Sequence, residues 1–250
     1  GHLSISYTAL AWAPTSSSSS SSSSPPSSSS SKRKRAAGGS DEDESPGLLA
    51  LGTKAGLIVL FDLALGKAVK TFSGHASAVT SLVFGRSHNV LFSGANGEKH
   101  AIQWNTASGK RVSSINIGKR GASCLALASN GAKLAAASSS IRMFDVASSE
   151  KMQKFSGYAT RIRDAKFSND GGFLFSIAPE RFSSVFRCSG GSADAASDTS
   201  GDVVTPVHNF SMPTAPHTMD FQQDGGGGGG GNGNGNNADS DAAVFHFLTT

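Results

Sequence analysis

The chain has 250 residues, a formal net charge of +4 and 37% apolar residues, a mildly basic balance that by itself calls for no polyanionic partner. Its two cysteines are too few for a disulfide framework or a cysteine zinc site, so both read as buried thiols in a reducing compartment, and no apolar run reaches the ~18 residues of a membrane-crossing helix. Residues 16–45, 190–200 and 225–241 are depleted in large apolar side chains, which leaves ~180–190 residues for a core, the size of one domain.

The chain opens at Gly1 directly into HLSISYTALAWAP, without the basic and apolar regions of a secretory leader, and reads as a fragment or a mis-started gene model. SYTALAWAP alternates as a strand. An insertion over residues 15–47 follows, mostly serine, with KRKR at Lys32, Arg33, Lys34 and Arg35 and DEDE at Asp41 to Glu44. Such a composition cannot bury enough apolar surface to offset chain entropy, so the insertion is expected to be disordered. An exposed basic cluster is a candidate nuclear import signal, set against a plain solvated charge run.

LLALGT, GLIVLFD and KAVKTF then complete a four-strand unit. The next unit reads Ala78 to Phe84, Val90 to Ala95, Ala101 to Asn105 and Val112 to Ile117, with turns at GRSHN, NGEK and TASGK, rich in residues that tolerate tight-turn dihedrals. SCLALA, KLAAAS, SIRMFD and EKMQKFS make a third unit. RIRDAKFS, FLFSIA, SSVFRC and, after a loop insertion over 189–203, VHNFSM make a fourth. The unit boundaries are 48–72, 78–117, 121–156 and 161–212. PHTMDFQ adds one more strand. Residues 223–241 are a Gly/Asn-rich, disordered loop, and 242–250 a candidate strand of a further unit. Seven glycines at Gly225 to Gly231 lack the Gly-Lys-Ser/Thr ending and helix of a phosphate loop.

The third strands end on Phe61, Trp104, Phe144 and Phe186, separated by 43, 40 and 42 residues. A period near 40 with four short, alternating strands per unit is the pattern of propeller blades, in which neighbouring sheets stack face to face and bury one continuous core. The apolar spacing of two excludes helices, and a two-sheet sandwich leaves the repeated aromatic ending unexplained. The expected fold is therefore all-β: an incomplete propeller over residues 1–222 with about five blades, some partial.

SGHASAV at Ser73 to Val79 recurs 83 positions later as SGYATRI, with Tyr158 in place of His75. A position that keeps its spacing but exchanges its side chain belongs to the repeat and not to catalysis. No HExxH, GxSxG or paired-carboxylate pattern is present, and scattered histidines make no tetrahedral ligand set, so no enzyme activity, metal or cofactor is expected.

Gly74-His75 followed by Trp104-Asn105 resembles the GH...WD frame of the WD-repeat family, with Asn for Asp. The resemblance implies a structural hydrogen-bond network of His75, Ser93 and Trp104, with Glu98 in the place of the turn acid. In the units ending at Phe144 and Phe186 the network is eroded, and the loss of the indole donor shifts them toward packing. The order LAWAP, basic low-complexity insertion, LLALGT, GH, WN and FSGYATRI resembles more narrowly the WD-repeat subunits of the UtpA subcomplex, over about residues 2 to 189. That resemblance implies a non-catalytic scaffold of the small-subunit processome, in the nucleus and nucleolus, acting in ribosome biogenesis, pre-rRNA processing and rRNA transcription. Its partners would be other WD-repeat and helical subunits and pre-ribosomal RNA, with no membrane and no small-molecule substrate. Two alternatives stand beside it: a WD-repeat adaptor that binds peptides as a ubiquitin-ligase receptor or signalling scaffold, and a sequence-independent RNA-binding protein. For the last, Lys110, Arg111, Lys119 and Arg120, extended by Arg161 and Arg163, are the candidate contacts to an RNA backbone; their plainer reading is the solvent-facing ends of outer strands.

Overall fold

A computed structural model describes residues 6–14, 47–156, 158, 160–180, 182–188, 203–213, 216–223 and 243–249. Every regular element among them is a strand. The first sheet is formed by β1 (Tyr7–Trp12), β2 (Leu48–Thr53), β3 (Leu57–Asp62) and β4 (Lys67–Ser73). The second holds β5 (Val79–Phe84), β6 (Val90–Ala95), β7 (His100–Asn105) and β8 (Lys110–Asn116). The third holds β9 (Cys124–Leu127), β10 (Lys133–Ala137), β11 (Ile141–Asp145) and β12 (Lys151–Phe155). The fourth begins with β13 (Asp164–Phe167), β14 (Phe173–Ile177) and β15 (Phe182–Arg187). Two residues, β16 (Val203–Val204), then add in parallel to the outer edge of β12, before β17 (His208–Ser211) completes the fourth sheet against β15. β18 (Pro216–Gln223) and β19 (Ala243–Thr249) pair as a final antiparallel ribbon.

Each blade is a meander in chain order, and successive residues of a strand point to opposite faces that meet two different neighbours, so β6, β10 and β14 are buried almost throughout. The core accordingly divides by interface. Leu48, Ala50, Ile58 and Leu60 of the first blade meet Leu82, Phe84, Leu91 and Trp104 of the second. Phe92, Ala101 and Ile115 on the far side of the second meet Leu125, Leu134 and Phe144 of the third. Ala135, Ile141, Met143 and Phe155 of the third meet Ala165, Leu174 and Phe186 of the fourth. At Trp104, Phe144 and Phe186 the repeated aromatic thus faces the preceding blade, where it meets the last apolar residue of that blade's outer strand. Phe72 stacks on Trp104 with centroids 5.5 Å apart, and Phe155 lies 4.9 Å from Phe186. Phe61 follows the same register, opposite Leu49, and shares its face with Trp12, which is 61% exposed.

At the end of the span expected as a loop insertion, 189–203, the chain forms a short strand: Val203–Val204 are β16 on the third blade. A two-residue strand is too short to leave a periodic signature. Residues 15–46 of the Ser-rich insertion, with Lys32 to Arg35, residues 189–202, and residues 224–241 of the Gly/Asn-rich stretch lie outside the described residues, whereas Gln223 ends β18.

Candidate functional site

His75 sits in the loop from β4 to β5, directly after a glycine that has to be one. A Cβ on Gly74 would lie 2.8 Å from Cη2 of the Trp104 indole, so the loop presses against the ring and turns the imidazole into the blade. His75 Nε2 is 2.7 Å from Ser93 Oγ, and Nδ1 is 2.7 Å from Glu98 Oε2. Trp104 Nε1 donates to Ser93 Oγ at 2.8 Å. For a neutral imidazole, one proton arrangement satisfies all three contacts. Ser93 Oγ accepts from the indole and donates its proton to Nε2, so the neutral imidazole carries its proton on Nδ1 and donates it to the carboxylate. The other carboxylate oxygen accepts from the amides of Ala76 and Ser77 at 2.7 and 2.8 Å. Partial burial desolvates Glu98, but the His75 contact and these amides outweigh it and hold its carboxyl below the ordinary glutamate value.

Serine, histidine and carboxylate in line is also the arrangement of a hydrolase triad. Ser93, however, is fully buried, and the indole occupies its outward lone pair. The open channel of about 470 Å³ along the inner strands is lined by Thr80, Ser81, Leu125, Asp164 and Lys166 among others, and by none of the four network residues. The chain of bonds ties strand β6 and the β6–β7 turn to the incoming loop; it offers no substrate a nucleophile. Among the described residues no three His, Cys, Asp or Glu side chains gather as a metal ligand set.

The other blades solve the same loop problem differently. In the third, Ala136 stands where Ser93 stands, as the pairing of Leu134 with Phe144 matches that of Leu91 with Trp104. There the Arg142 guanidinium donates to the Ile117 carbonyl and fixes the loop from β8 to β9. In the fourth, the Tyr158 hydroxyl hydrogen-bonds Ser176 Oγ, and Ser176 also donates to the Ser184 carbonyl at 3.3 Å. Burial pushes the Tyr158 hydroxyl up to about 12. Erosion of the Gly-His frame therefore removes the imidazole and not the tie, which the sequence signalled only through Tyr158.

A further set of polar contacts had no recognised motif. Thr8, Thr80 and Ser123 occupy the same place on, or just before, successive inner strands. Each donates to a carbonyl of the next blade: Thr8 to Val79 at 2.6 Å, Thr80 to Ala122 at 2.5 Å, Ser123 to Ile162 at 2.6 Å. Contacts to carbonyls of their own blades, Gly52, Gly94 and Ala137, are longer, at 3.3, 3.2 and 3.0 Å. An inner strand has an unpaired edge, and the preceding blade's hydroxyl satisfies one of its carbonyls. Arg163 holds the corresponding place in the fourth blade, where its Nη1 reaches the Pro216 carbonyl at 3.4 Å.

The basic residues do not form one surface. Lys110 and Arg111 open β8 at one sheet end, whereas Lys119 and Arg120 follow its other end, a separation of ~20 Å or more at strand rise. Arg120 donates to Ser139 Oγ, and Arg161 Nη2 to Asn96 Oδ1 at 2.8 Å. Both therefore lie over the β10–β11 and β6–β7 turns, on the edge that also carries Glu98, while Arg163 is turned to the inner strand. Lys32 to Arg35 fall outside the described residues.

The WD domain, G-beta repeat family matches residues 66–105, from the turn before β4 to the end of β7. Human WD repeat-containing protein 43 is 27% identical over 169 residues, which cover 67% of this chain and 24% of that protein. WD repeat-containing protein SL1-17 of Schistosoma mansoni is 30% identical over 146 residues, 57% of this chain and 48% of that protein. Mitochondrial division protein 1 of Vanderwaltozyma polyspora is 54% identical over 43 residues, 17% of this chain and 6% of that protein. The chain spans less than half the length of the curated relatives it matches. With its four-stranded meander blades, its repeated inward aromatic and the Gly74-His75 to Trp104 frame, the chain is similar in sequence and architecture to WD-repeat proteins.

Proposed function

We propose that the chain is a non-catalytic assembly scaffold of ribosome biogenesis, working in the small-subunit processome of the nucleolus on nascent pre-ribosomal RNA and rRNA transcription. The observation that carries this reading is the run of details shared with WD-repeat subunits of the UtpA subcomplex, from LAWAP through the basic insertion to FSGYATRI. The alignment with human WD repeat-containing protein 43, which extends over two-thirds of the chain, supports it. Stacked blades present rigid edges and loops to several partners at once, here other WD-repeat and helical subunits, with residues 1–222 as the propeller sector that offers them. Lys32 to Arg35 serve as the import signal. Lys119, Arg120 and Arg161, which share one edge, are the residues for direct contact to an RNA backbone; Lys110 and Arg111 belong to a different surface.

Affinity recovery of the tagged full-length protein, read by mass spectrometry and RNA sequencing, tests this. Processome subunits and pre-ribosomal RNA are the expected harvest. Ubiquitin-ligase or kinase components without nucleolar proteins would replace it by the peptide-adaptor reading, for which the open channel along β5, β9 and β13 is the place to look.

A further inference from the structure

Outer strands of stacked blades have one unpaired edge, and lysines on that edge discourage pairing with other chains. β4 carries Lys67 and Lys70, β8 carries Lys110 and Arg111, and β12 carries Lys151 and Lys154. Among the described residues only β12 nevertheless has a further strand beside it, with Lys154 opposite Val203 and Phe155 opposite Val204 in parallel register. The route to that contact is indirect. The chain leaves β15 in the fourth blade, pairs with the third, and returns to the fourth as β17. A short turn would have joined β15 to its antiparallel neighbour β17, so the fourth blade's own topology does not demand the visit.

The visiting strand is also weakly held. Two residue pairs in parallel register supply only a few ladder bonds. The chemistry matches the edge it lies on. In sequence, Asp198 and Asp202 precede the β-branched Val203 and Val204, and β12 itself carries Lys151 and Lys154, with Met152 37% exposed.

We propose that the outer edge of β12 is a strand-accepting site for an extended segment of another protein, acidic and then β-branched, and that Val203–Val204 is a resident occupant which such a segment displaces. Backbone bonds give the affinity and the lysines choose acidic sequences, as in strand addition elsewhere.

The test uses a fluorescent peptide of residues 196–206, ASDTSGDVVTP, and the full chain with and without Val203→Pro and Val204→Pro, which remove the pairing N–H groups. The variant should bind the peptide at least about tenfold more tightly than the unaltered chain, since the resident no longer competes. Adding Lys151→Glu and Lys154→Glu to that variant should cancel the gain, as should a peptide with both aspartates replaced by lysine. Hydrogen exchange across β12 should quicken in the variant and slow again when peptide is added. Equal peptide binding by both chains, or β12 exchange unaffected by the substitutions, overturns the proposal. Should the proline variant unfold, the Val203→Gly, Val204→Gly chain decides by the same two readouts.

Discussion

The Ser123 hydroxyl donates to the carbonyl oxygen of Ile162 at 2.6 Å, across the gap between the third and fourth blades. Thr80 makes the same contact one blade earlier, to the carbonyl of Ala122, a residue with no exposed surface. Thr80→Val keeps the shape and removes the donor, leaving a buried carbonyl unsatisfied, so it should cost about 1–2 kcal/mol. Urea unfolding should show a lower midpoint with an unchanged slope. Thr8 lies on an exposed stretch of β1, where water can replace it, and Thr8→Val should cost less than half as much.

The polar chain of the second blade should behave as a unit. Ser93 serves two neighbours at once, so Ser93→Ala strands both His75 Nε2 and Trp104 Nε1 and should cost about 2–4 kcal/mol, two buried groups at 1–3 each with some relaxation. Adding His75→Ala to it should cost far less than His75→Ala alone, a non-additivity a double-mutant cycle measures directly. Tyr158→Phe should cost only about 0.5–1.5 kcal/mol, because Ser176 keeps its contact to the Ser184 carbonyl. Additive losses at His75 and Ser93 would contradict the bond directions given above.

The blades were legible in the sequence because stacking imposes two signals at once, alternation within strands and an aromatic recurring at Phe61, Trp104, Phe144 and Phe186, the last three of which meet the blade before them. His75, Ser93, Glu98 and Trp104 could be read together because their spacing follows a shared frame, and the structure brings all four within hydrogen-bond reach. Thr8, Thr80 and Ser123 could not. A small hydroxyl residue at a strand start is common, and its meaning lies in a carbonyl that comes 39 to 71 residues later in the chain. Arg142 was hidden for a related reason: alternation marks its position as apolar, and only the missing imidazole of that blade gives a guanidinium something to tie. The cationic residues were grouped by nearness in sequence, but a strand separates its ends, so Lys110 and Lys119 lie on different sheet ends.

Stability should depend on the charge of Glu98. Desolvation works against the charged form, yet the His75 contact and the Ala76 and Ser77 amides leave its carboxyl below the ordinary value. A depressed folded value means that the unfolded chain takes up the proton first as pH falls. The contribution is therefore full above the ordinary glutamate range, about 4.3, and is lost as pH drops through the lower folded value. Glu98→Gln removes it. The difference in unfolding free energy between the two chains should be largest near neutrality and shrink steadily on acidification below the ordinary range. A gap that stays constant would assign the role of Glu98 to its shape and not its charge.

Cys124 and Cys188 belong to the core between the third and fourth blades, and their thiols can report when that interface opens. Burial, seconded by the charge of Asp164, raises Cys124 well above the ordinary thiol range, and burial pushes Cys188 up to about 11. Near pH 8 the second thiol holds on the order of a thousandth of its population as thiolate, and both are shielded from reagent. An unfolded thiol is about a tenth to a quarter thiolate at that pH, so alkylation of the native chain should be at least about a hundredfold slower than that of the urea-unfolded chain. Phe155→Ala removes the ring that packs on Phe186 at this interface and should cost about 3–5 kcal/mol, so it should accelerate both thiols together. The Phe92→Ala substitution, in the core between the second and third blades, should leave both thiols nearly as slow as before if the blades open one interface at a time. Equal acceleration of both thiols by the two substitutions would show instead that the stack unfolds as one unit.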